Sequence, residues 1–112
     1  MGQLLFKKCF WEAIREGTKR TTVRRWRSAR VREGGRAYSP GVGWLTILNV
    51  DVVRLEQLTD ADARADGFET LAAMRRVLAE IYPDLGGDGR QWFRVAFKPE
   101  AGERPSEQGK LF

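Results

Sequence analysis

The feature that most restricts the fold of this chain is a nearly continuous apolar run between residues 42 and 55. Its large members are aliphatic or aromatic: Trp44, Leu45, Ile47, Leu48, Val50, Val52 and Val53. Such a composition is typical of a strand that packs against other elements. Because the run is longer than an ordinary strand, we predict one long bent strand, or two strands separated by a kink near Asn49 or Asp51.

Shorter patterns on either side of this run predict the other elements. In chain order they are a strand at 4–6, a helix at 9–16, a strand at 21–23, a strand at 36–38, a short helix at 59–67, a helix at 70–81 and a closing strand at 91–98. Gly17 suits the left-handed residue that ends a helix, and Thr59 with Asp62 suits a capping box. We therefore predict an α+β fold, a small β-barrel of about five to six strands with two to three short helices.

Length and composition bound the class of protein. A chain of 112 residues, 42% of them apolar, fits one domain over residues 1–98, followed by a tail, 99–112, that is rich in Pro, Gly and Glu and that we expect to be flexible. No apolar run approaches the roughly 20 residues that a membrane span needs, and the first residues lack a signal-peptide pattern. Because the single Cys9 cannot form an internal disulfide, we expect a cytoplasmic protein.

The chain contains no histidine. Catalysis that uses imidazole as the general base, including the serine and cysteine nucleophile systems, is therefore excluded. A zinc site would need ligands that the chain does not have. A magnesium ion held by carboxylates stays open, but no spacing of acidic residues indicates one, and we expect neither a metal nor another cofactor.

Positive charge is concentrated in the first half of the chain. Residues 1–54 hold twelve Lys and Arg against four Asp and Glu, a balance of +8, whereas residues 55–112 hold eight against eleven, a balance of −3. Basic residues gathered in one part of a small chain are typical of a polyanion partner, most often nucleic acid. The alternative is a charged surface that only keeps the protein soluble.

The densest polar chemistry lies in residues 17–26. Neighbouring cations should lower the pKa of Lys19 if its side chain is partly buried, and a neutral amine can activate the Thr22 hydroxyl without histidine. Arg24 would then act as the clamp for an oxyanion or a phosphate. Asp66 is the acid that can reach Lys19 or a substrate amine. The alternatives are a strand with an exposed basic face and, at Asp66, an ordinary polar loop.

Aromatic residues among these cations can stack on nucleobases. Trp26, Tyr38, Trp44 and Trp92 are the candidates. For Trp44 and Trp92, which lie in apolar strands, we predict core packing instead, and for Trp26 both interpretations stay open. The predicted nucleic-acid contacts are Arg20, Arg24, Arg25, Trp26, Arg27 and Arg30.

The order of these features resembles one protein family. The spacing Gly17-x-Lys19-x-x-Thr22-x-Arg24 is similar to the G-x-K-x-x-[ET]-x-R signature of ASCH domains, a PUA-like β-barrel family linked to RNA. The resemblance covers about residues 4–98, and the segments that carry it outside the signature are Phe10–Ile14, Leu58–Asp60, Asp66–Phe68, Ala79–Pro83 and Trp92–Phe97.

This resemblance implies a PUA-like barrel with helices at its rim and an RNA- or nucleotide-binding cleft beside the signature. Some small bacterial ASCH proteins are amidohydrolases that act on N4-acetylcytidine through a lysine, a threonine and a glutamate. Lys19 and Thr22 match the first two, and Asp66 lies near the third but is one methylene shorter. Other members are thought to bind or cleave RNA. The basic loop at 27–36 favours an RNA strand over a free nucleoside.

The last five residues resemble a different pattern. Gln108, Leu111 and Phe112 match the Q-x-x-L-F motif with which bacterial replication proteins dock on the sliding clamp. A flexible tail that ends in two apolar residues fits a docking peptide, so the clamp is a second predicted partner.

Overall fold

The computed structural model describes residues 2–83 and 89–100. Within these ranges the strands are β1 Gly2–Gln3, β2 Thr21–Trp26, β3 Arg36–Ser39, β4 Gly43–Val53 and β5 Gln91–Pro99. The α-helices are α1 Trp11–Glu16, α2 Asp60–Ala65 and α3 Leu71–Ile81, with single 3-10 turns at Lys8–Phe10 and Leu55–Gln57. The predicted α+β class, with five strands and short helices, is confirmed.

The five strands form one sheet that curls into a half-barrel, in the order β1-β3-β4-β5-β2. All neighbours are antiparallel except β1 and β3, which are parallel. Strand β2 pairs with β5 over its whole length, from Thr21 opposite Ala96 to Trp26 opposite Gln91. The basic segment therefore lies on an edge strand of the sheet.

Strand β4 is the long bent strand that the apolar run predicts. The register with β5 shifts between Ile47 and Asn49, and Leu48, at the bulge, is 47% exposed. An extra residue reverses the alternation of side chains, so Leu45 and Ile47 before the bulge share a core with Val50 after it. This reversal helps to explain why apolar residues fill nearly every position of the run instead of alternating with polar ones.

Two hydrophobic clusters lie on opposite faces of the sheet. The inner cluster consists of Leu4, Ile14, Val31, Ala37, Leu45, Ile47, Val95 and Phe97. The outer cluster, beneath α2 and α3, consists of Val23, Leu58, Ala63, Met74 and Leu78. Successive residues of β2 and β5 point to opposite faces, so each strand contributes side chains to both environments.

The helices begin where the sequence predicts. Thr59 caps α2 in a capping box with Asp62, and the hydroxyl of Thr70 caps α3 by accepting a hydrogen bond from the backbone N–H of Ala73. The apolar stripe of α3 is only partly buried, because Ile81 at its end is 44% exposed. That residue lies at the mouth of the pocket described below.

The first strand is shifted from its predicted position at 4–6. Strand β1 covers Gly2–Gln3, and only the N–H of Leu4 continues the pairing, by donating to Tyr38 O at 3.1 Å. The carbonyls of Leu5 and Phe6 accept side-chain hydrogen bonds instead, from Arg24 Nη2 at 2.7 Å and from the Trp11 indole at 3.0 Å. These two bonds draw the chain away from the sheet and toward β2.

The basic loop between β2 and β3 is anchored at its centre. Val31 is 7% exposed and belongs to the inner cluster. The N–H of Gly34 donates to Ile47 O at 2.9 Å, and Ile47 N donates back to Gly35 O at 2.8 Å. The polar composition of the loop gives no indication in the sequence that the loop is attached to the sheet in this way.

Two aromatic predictions have different outcomes. Trp92 packs beside the outer cluster, in edge contact with Tyr82 at 5.3 Å between ring centroids. Trp44 lies outside both clusters, between the Arg36 guanidinium at 4.2 Å and the Tyr38 ring at 5.3 Å. Core packing is therefore wrong for Trp44, because its position on β4 points away from the inner cluster.

Strand β5 runs one residue past the predicted domain end at 98. Glu100 then accepts two hydrogen bonds of 2.8 Å from Arg36. Residues 101–112, including Gln108, Leu111 and Phe112, lie outside the described residues, as does most of the predicted loop at 84–89.

Two glycines with the same backbone conformation should differ in their tolerance of alanine. Gly17 (φ +88°) has no atom within 4 Å of an added Cβ, whereas at Gly41 (φ +86°) the Cβ would lie 2.5 Å from the Trp11 ring. We predict that Gly17→Ala lowers the free energy of unfolding by about 1–2 kcal/mol. Gly41→Ala should cost about 1–3 kcal/mol more because of the clash. Urea unfolding measures both, and equal losses would contradict the packing described here.

Candidate functional site

Four of the polar residues singled out in the sequence line one pocket. Lys19, Thr22 and Asp66 are 3%, 5% and 4% exposed, and Arg24 completes the polar side of the same cavity. Lys19 and Asp66 are 47 positions apart in the chain. The fold thus brings together the three residues predicted as catalytic.

The end of α1 places Lys19 against the end of α2. Gly17 caps α1 in the left-handed conformation, and the N–H of Lys19 then donates to Ala13 O at 3.0 Å. The next residue, Arg20, donates its N–H to Ala65 O at 2.7 Å, just before Asp66. A Cβ on Gly67 would lie 3.3 Å from the Lys19 side chain, so the glycine permits this close approach.

The Lys19 ammonium uses all three of its protons within the protein. It donates to Asp66 Oδ1 at 2.5 Å, to Asp66 O at 2.7 Å and to Thr21 O at 3.1 Å. An ammonium has three donors and no acceptor, so none remains for a ligand in this state. Lys19 is therefore part of the architecture of the pocket.

Three phenylalanine rings surround the same ammonium. Its Nζ lies 4.9 Å from the ring centroid of Phe10, 5.7 Å from that of Phe6 and 5.9 Å from that of Phe68. Aromatic faces attract a cation and exclude water from it. The sequence does not indicate this cage, because Phe68 is far from Phe6 and Phe10 in the chain.

Burial controls the protonation of the pair. Desolvation lowers the pKa of Lys19 and raises the pKa of Asp66, and the attraction between the two groups offsets part of each change. Asp66 Oδ2 is buried without a hydrogen-bond partner among the described residues. The Thr21 side chain also lowers the pKa of Asp66. Asp66, which lines the pocket, therefore has an unused acceptor.

Arg24 is held in place in the same pocket. Its Nε donates to Thr22 Oγ1 at 2.9 Å, its Nη2 donates to Leu5 O at 2.7 Å, and the guanidinium lies 4.9 Å from the centroid of the Phe6 ring. Burial lowers its pKa, but a guanidinium remains charged in proteins. Nη1 has no hydrogen-bond partner in residues 2–83 and 89–100, so it can donate to a ligand.

The rest of the pocket is largely apolar, although Lys7 also lines it. Its volume is about 210 Å³, and the apolar lining includes Leu5, Phe6, Phe10, Phe68, Ile81 and Tyr82. Leu5, 60% exposed, and Ile81, 44% exposed, form part of its rim. A small, largely apolar pocket with a few polar groups fits a flat and mostly apolar ligand with a polar edge.

The alternation of β2 separates the predicted cationic contacts. Thr22, Arg24 and Trp26 share one face, whereas Arg25 lies on the other, 8% exposed, with its guanidinium 5.4 Å from the Trp92 ring centroid. Arg20 is exposed and lines a different depression, on the far side of Lys19. The structure therefore does not bring Arg20 or Arg25 to the pocket.

The remaining predicted contacts lie outside the pocket. Arg27 is exposed just beyond the end of β2. Trp26 packs on Phe93, with ring centroids 5.7 Å apart, and lines a neighbouring depression together with Arg30. That depression shares Leu5 and Arg24 with the pocket.

Two features are absent from the described residues. No group of three His, Cys, Asp or Glu side chains there is arranged to hold a metal ion. None of the helices in the same ranges is long and apolar enough to cross a membrane.

Comparisons with known proteins identify the fold. No family model matches the chain, and no curated protein sequence matches it. Among solved structures it is similar to protein EF3133 from Enterococcus faecalis V583, described as DUF984, with a TM-score of 0.62 and 12% sequence identity over 88% of this chain and 79% of that one. At this identity the likeness shows a shared fold.

The buried pair allows a test of the pocket architecture by a double-mutant cycle. Lys19→Met or Asp66→Leu alone should lower the free energy of unfolding by about 3–5 kcal/mol, because each leaves a buried charge unpaired. The double variant should lose less than the sum. Asp51→Asn is the control, because it removes one partner of Arg94 from an ion pair in which both side chains are at least 30% exposed. It should lower the free energy of unfolding by less than about 1 kcal/mol. Additive losses at Lys19 and Asp66 would contradict the pairing.

Proposed function

We propose that the protein binds RNA or a nucleotide, and that the pocket lined by Lys19, Thr22, Arg24 and Asp66 holds a nucleobase. The observation that carries this proposal is that Asp66, with an unused buried acceptor, and Arg24, a cationic donor, line the same largely apolar pocket. A nucleobase has the complementary form, a flat ring with donors and acceptors along one edge.

The acceptor gives the pocket a preference for an N–H group. A buried oxygen without a partner costs about 1–3 kcal/mol, and a ligand that donates to Asp66 Oδ2 removes this penalty. Arg24 Nη1 can donate to a carbonyl of the same ligand, since its other nitrogens are held by Thr22 and Leu5. A base edge such as that of cytosine presents both an amino group and a carbonyl.

The apolar walls and the size of the pocket favour a single base. Phe10 and Phe68 provide aromatic surface against which a ring can stack. The volume of about 210 Å³ is below the roughly 300–1,000 Å³ of pockets that hold drug-sized ligands. A pyrimidine therefore fits this pocket better than a larger ligand.

The charge distribution and the family resemblance support the same proposal. The first 54 residues carry a balance of +8, which attracts a polyanion. The ASCH-like signature from Gly17 to Arg24 folds into one wall of the pocket, and ASCH domains are linked to RNA. The fold shared with EF3133 agrees with such a small α+β domain.

An amidohydrolase is the second candidate. It is favoured by the position of Lys19, Thr22 and Asp66 on one pocket, together with a Thr22 hydroxyl that accepts from Arg24 and keeps its own proton free. The substrate would be an N4-acylated cytidine, whose amide lies on the base edge that Asp66 and Arg24 would contact.

The reaction would proceed through a Thr22 ester. Thr22 Oγ1 attacks the acyl carbonyl carbon and transfers its proton to Asp66 Oδ2, while Arg24 Nη1 stabilises the oxyanion. The C–N bond then breaks, and the proton passes to the departing amino nitrogen, which releases cytidine. Water next adds to the acyl carbon of the ester, which releases the carboxylic acid and restores the Thr22 hydroxyl.

Binding of cytidine 5′-monophosphate tests the first candidate. We predict saturable binding by calorimetry, and about tenfold or weaker binding of the N4,N4-dimethyl analogue, which cannot donate to Asp66 Oδ2. In Asp66→Asn this discrimination should disappear, because Lys19 takes the amide oxygen and the NH₂ group faces the ligand. Asp51→Asn is the control that should retain it. Equal affinities for both nucleotides in the unmodified protein would refute the proposed role of Asp66.

Incubation with N4-acetylcytidine tests the second candidate. If the pocket is catalytic, cytidine and acetate should form in equal amounts, and Thr22→Val, which keeps the side-chain shape, should lower kcat by at least about 100-fold. Chromatography measures both products. Turnover that survives Thr22→Val would exclude the ester route, and absence of product in the unmodified protein would leave nucleotide binding as the function.

A further inference from the structure

We propose that the depression lined by Gln3, Leu5, Arg24, Trp26 and Arg30 is a second subsite, which binds the phosphate next to the base held in the pocket. The inference rests on the proposed function, because it assumes that the pocket holds a base. It adds to that function the place where the phosphate of the nucleotide or RNA strand binds.

The two cavities are adjacent. Leu5 and Arg24 line both, so the Arg24 guanidinium stands at the boundary between the base pocket and the second depression. A ligand that enters the pocket with its base has its sugar and phosphate near this boundary. The second depression, of about 480 Å³, is larger than the pocket and has room for those groups.

The lining of the depression suits an anion. Its charged side chains are Arg24 and Arg30, its other polar groups are the Gln3 amide and the Trp26 indole, and no acidic side chain among the described residues lines it. Arg30 is exposed, and the described part of the chain offers it no hydrogen-bond or ion-pair partner. The Arg30 guanidinium can bind phosphate oxygens in a bidentate geometry, while Arg24, whose Nη1 donates to the base, adds positive charge beside them.

The subsite is held in place although part of it is exposed. Arg24 is fixed by its hydrogen bonds to Thr22 Oγ1 and Leu5 O. Arg30 precedes the buried Val31, whose side chain lies close to Gly2, the first residue of β1. The parallel pairing of β1 with β3 in turn positions Gln3. Anchored positions of this kind reduce the entropy lost when a ligand binds.

A comparison of cytidine with its phosphates tests this inference. By calorimetry at low salt, we expect cytidine 5′-monophosphate or cytidine 3′-monophosphate to bind at least about tenfold more tightly than cytidine, as phosphate contacts to Arg require. Arg30→Gln should remove most of this gain. Arg76→Gln, an exposed arginine on α3 outside the depression, should keep it.

The results separate the possible failures. If cytidine binds but its phosphates bind no better, or if Arg30→Gln and Arg76→Gln keep the same gain, the phosphate subsite is refuted while the base pocket stands. If none of the compounds binds, the proposed function fails and the inference fails with it. A trinucleotide that binds more tightly than either monophosphate, with a gain sensitive to Arg30→Gln, identifies an RNA strand as the source of the phosphate.

Discussion

The buried pair of Lys19 and Asp66 is the interaction on which the pocket depends. It joins the start of β2 to the end of α2, and thus connects the sheet to the helices that cover its outer face. A buried ion pair adds little net stability, but it is costly to break on one side. The pair matters because it positions the carboxylate. The ammonium satisfies one carboxylate oxygen and leaves Oδ2 as an acceptor in a largely apolar pocket.

The alternation of β2 determines which of the basic residues belong to the site. Thr22, Arg24 and Trp26 point to the face that carries the pocket, while Arg25 points to the outer face and packs over Trp92. A dense run of arginines therefore supplies one guanidinium to the pocket. Most of the basic residues in this run therefore contribute only to the surface charge, whereas Arg24 makes specific contacts in the pocket.

The sequence predicts the features that depend on neighbouring residues. These include the glycine that ends α1, the capping box at Thr59 and the bend of β4 near Asn49. The convergence of Lys19 and Thr22 was also predictable from their spacing, and the approach of Asp66 to Lys19 was predictable from the residues as well as from the family resemblance. The phenylalanine cage was not, because it depends on the departure of residues 5 and 6 from the sheet, which hydrogen bonds from Arg24 and Trp11 cause. Long-range contacts of this kind leave no periodic pattern in the chain.

The NMR signal of the Asp66 carboxyl group tests most directly whether the pocket binds a nucleobase. In protein labelled with ¹³C at the aspartate carboxyl carbons, the Asp66 signal can be assigned by its loss in Asp66→Asn. We predict that cytidine 5′-monophosphate shifts this signal saturably, while the signals of Asp51 and Asp62, both paired with Arg94, stay in place. An Asp66 signal that does not move when the nucleotide is bound would contradict the assignment of this pocket.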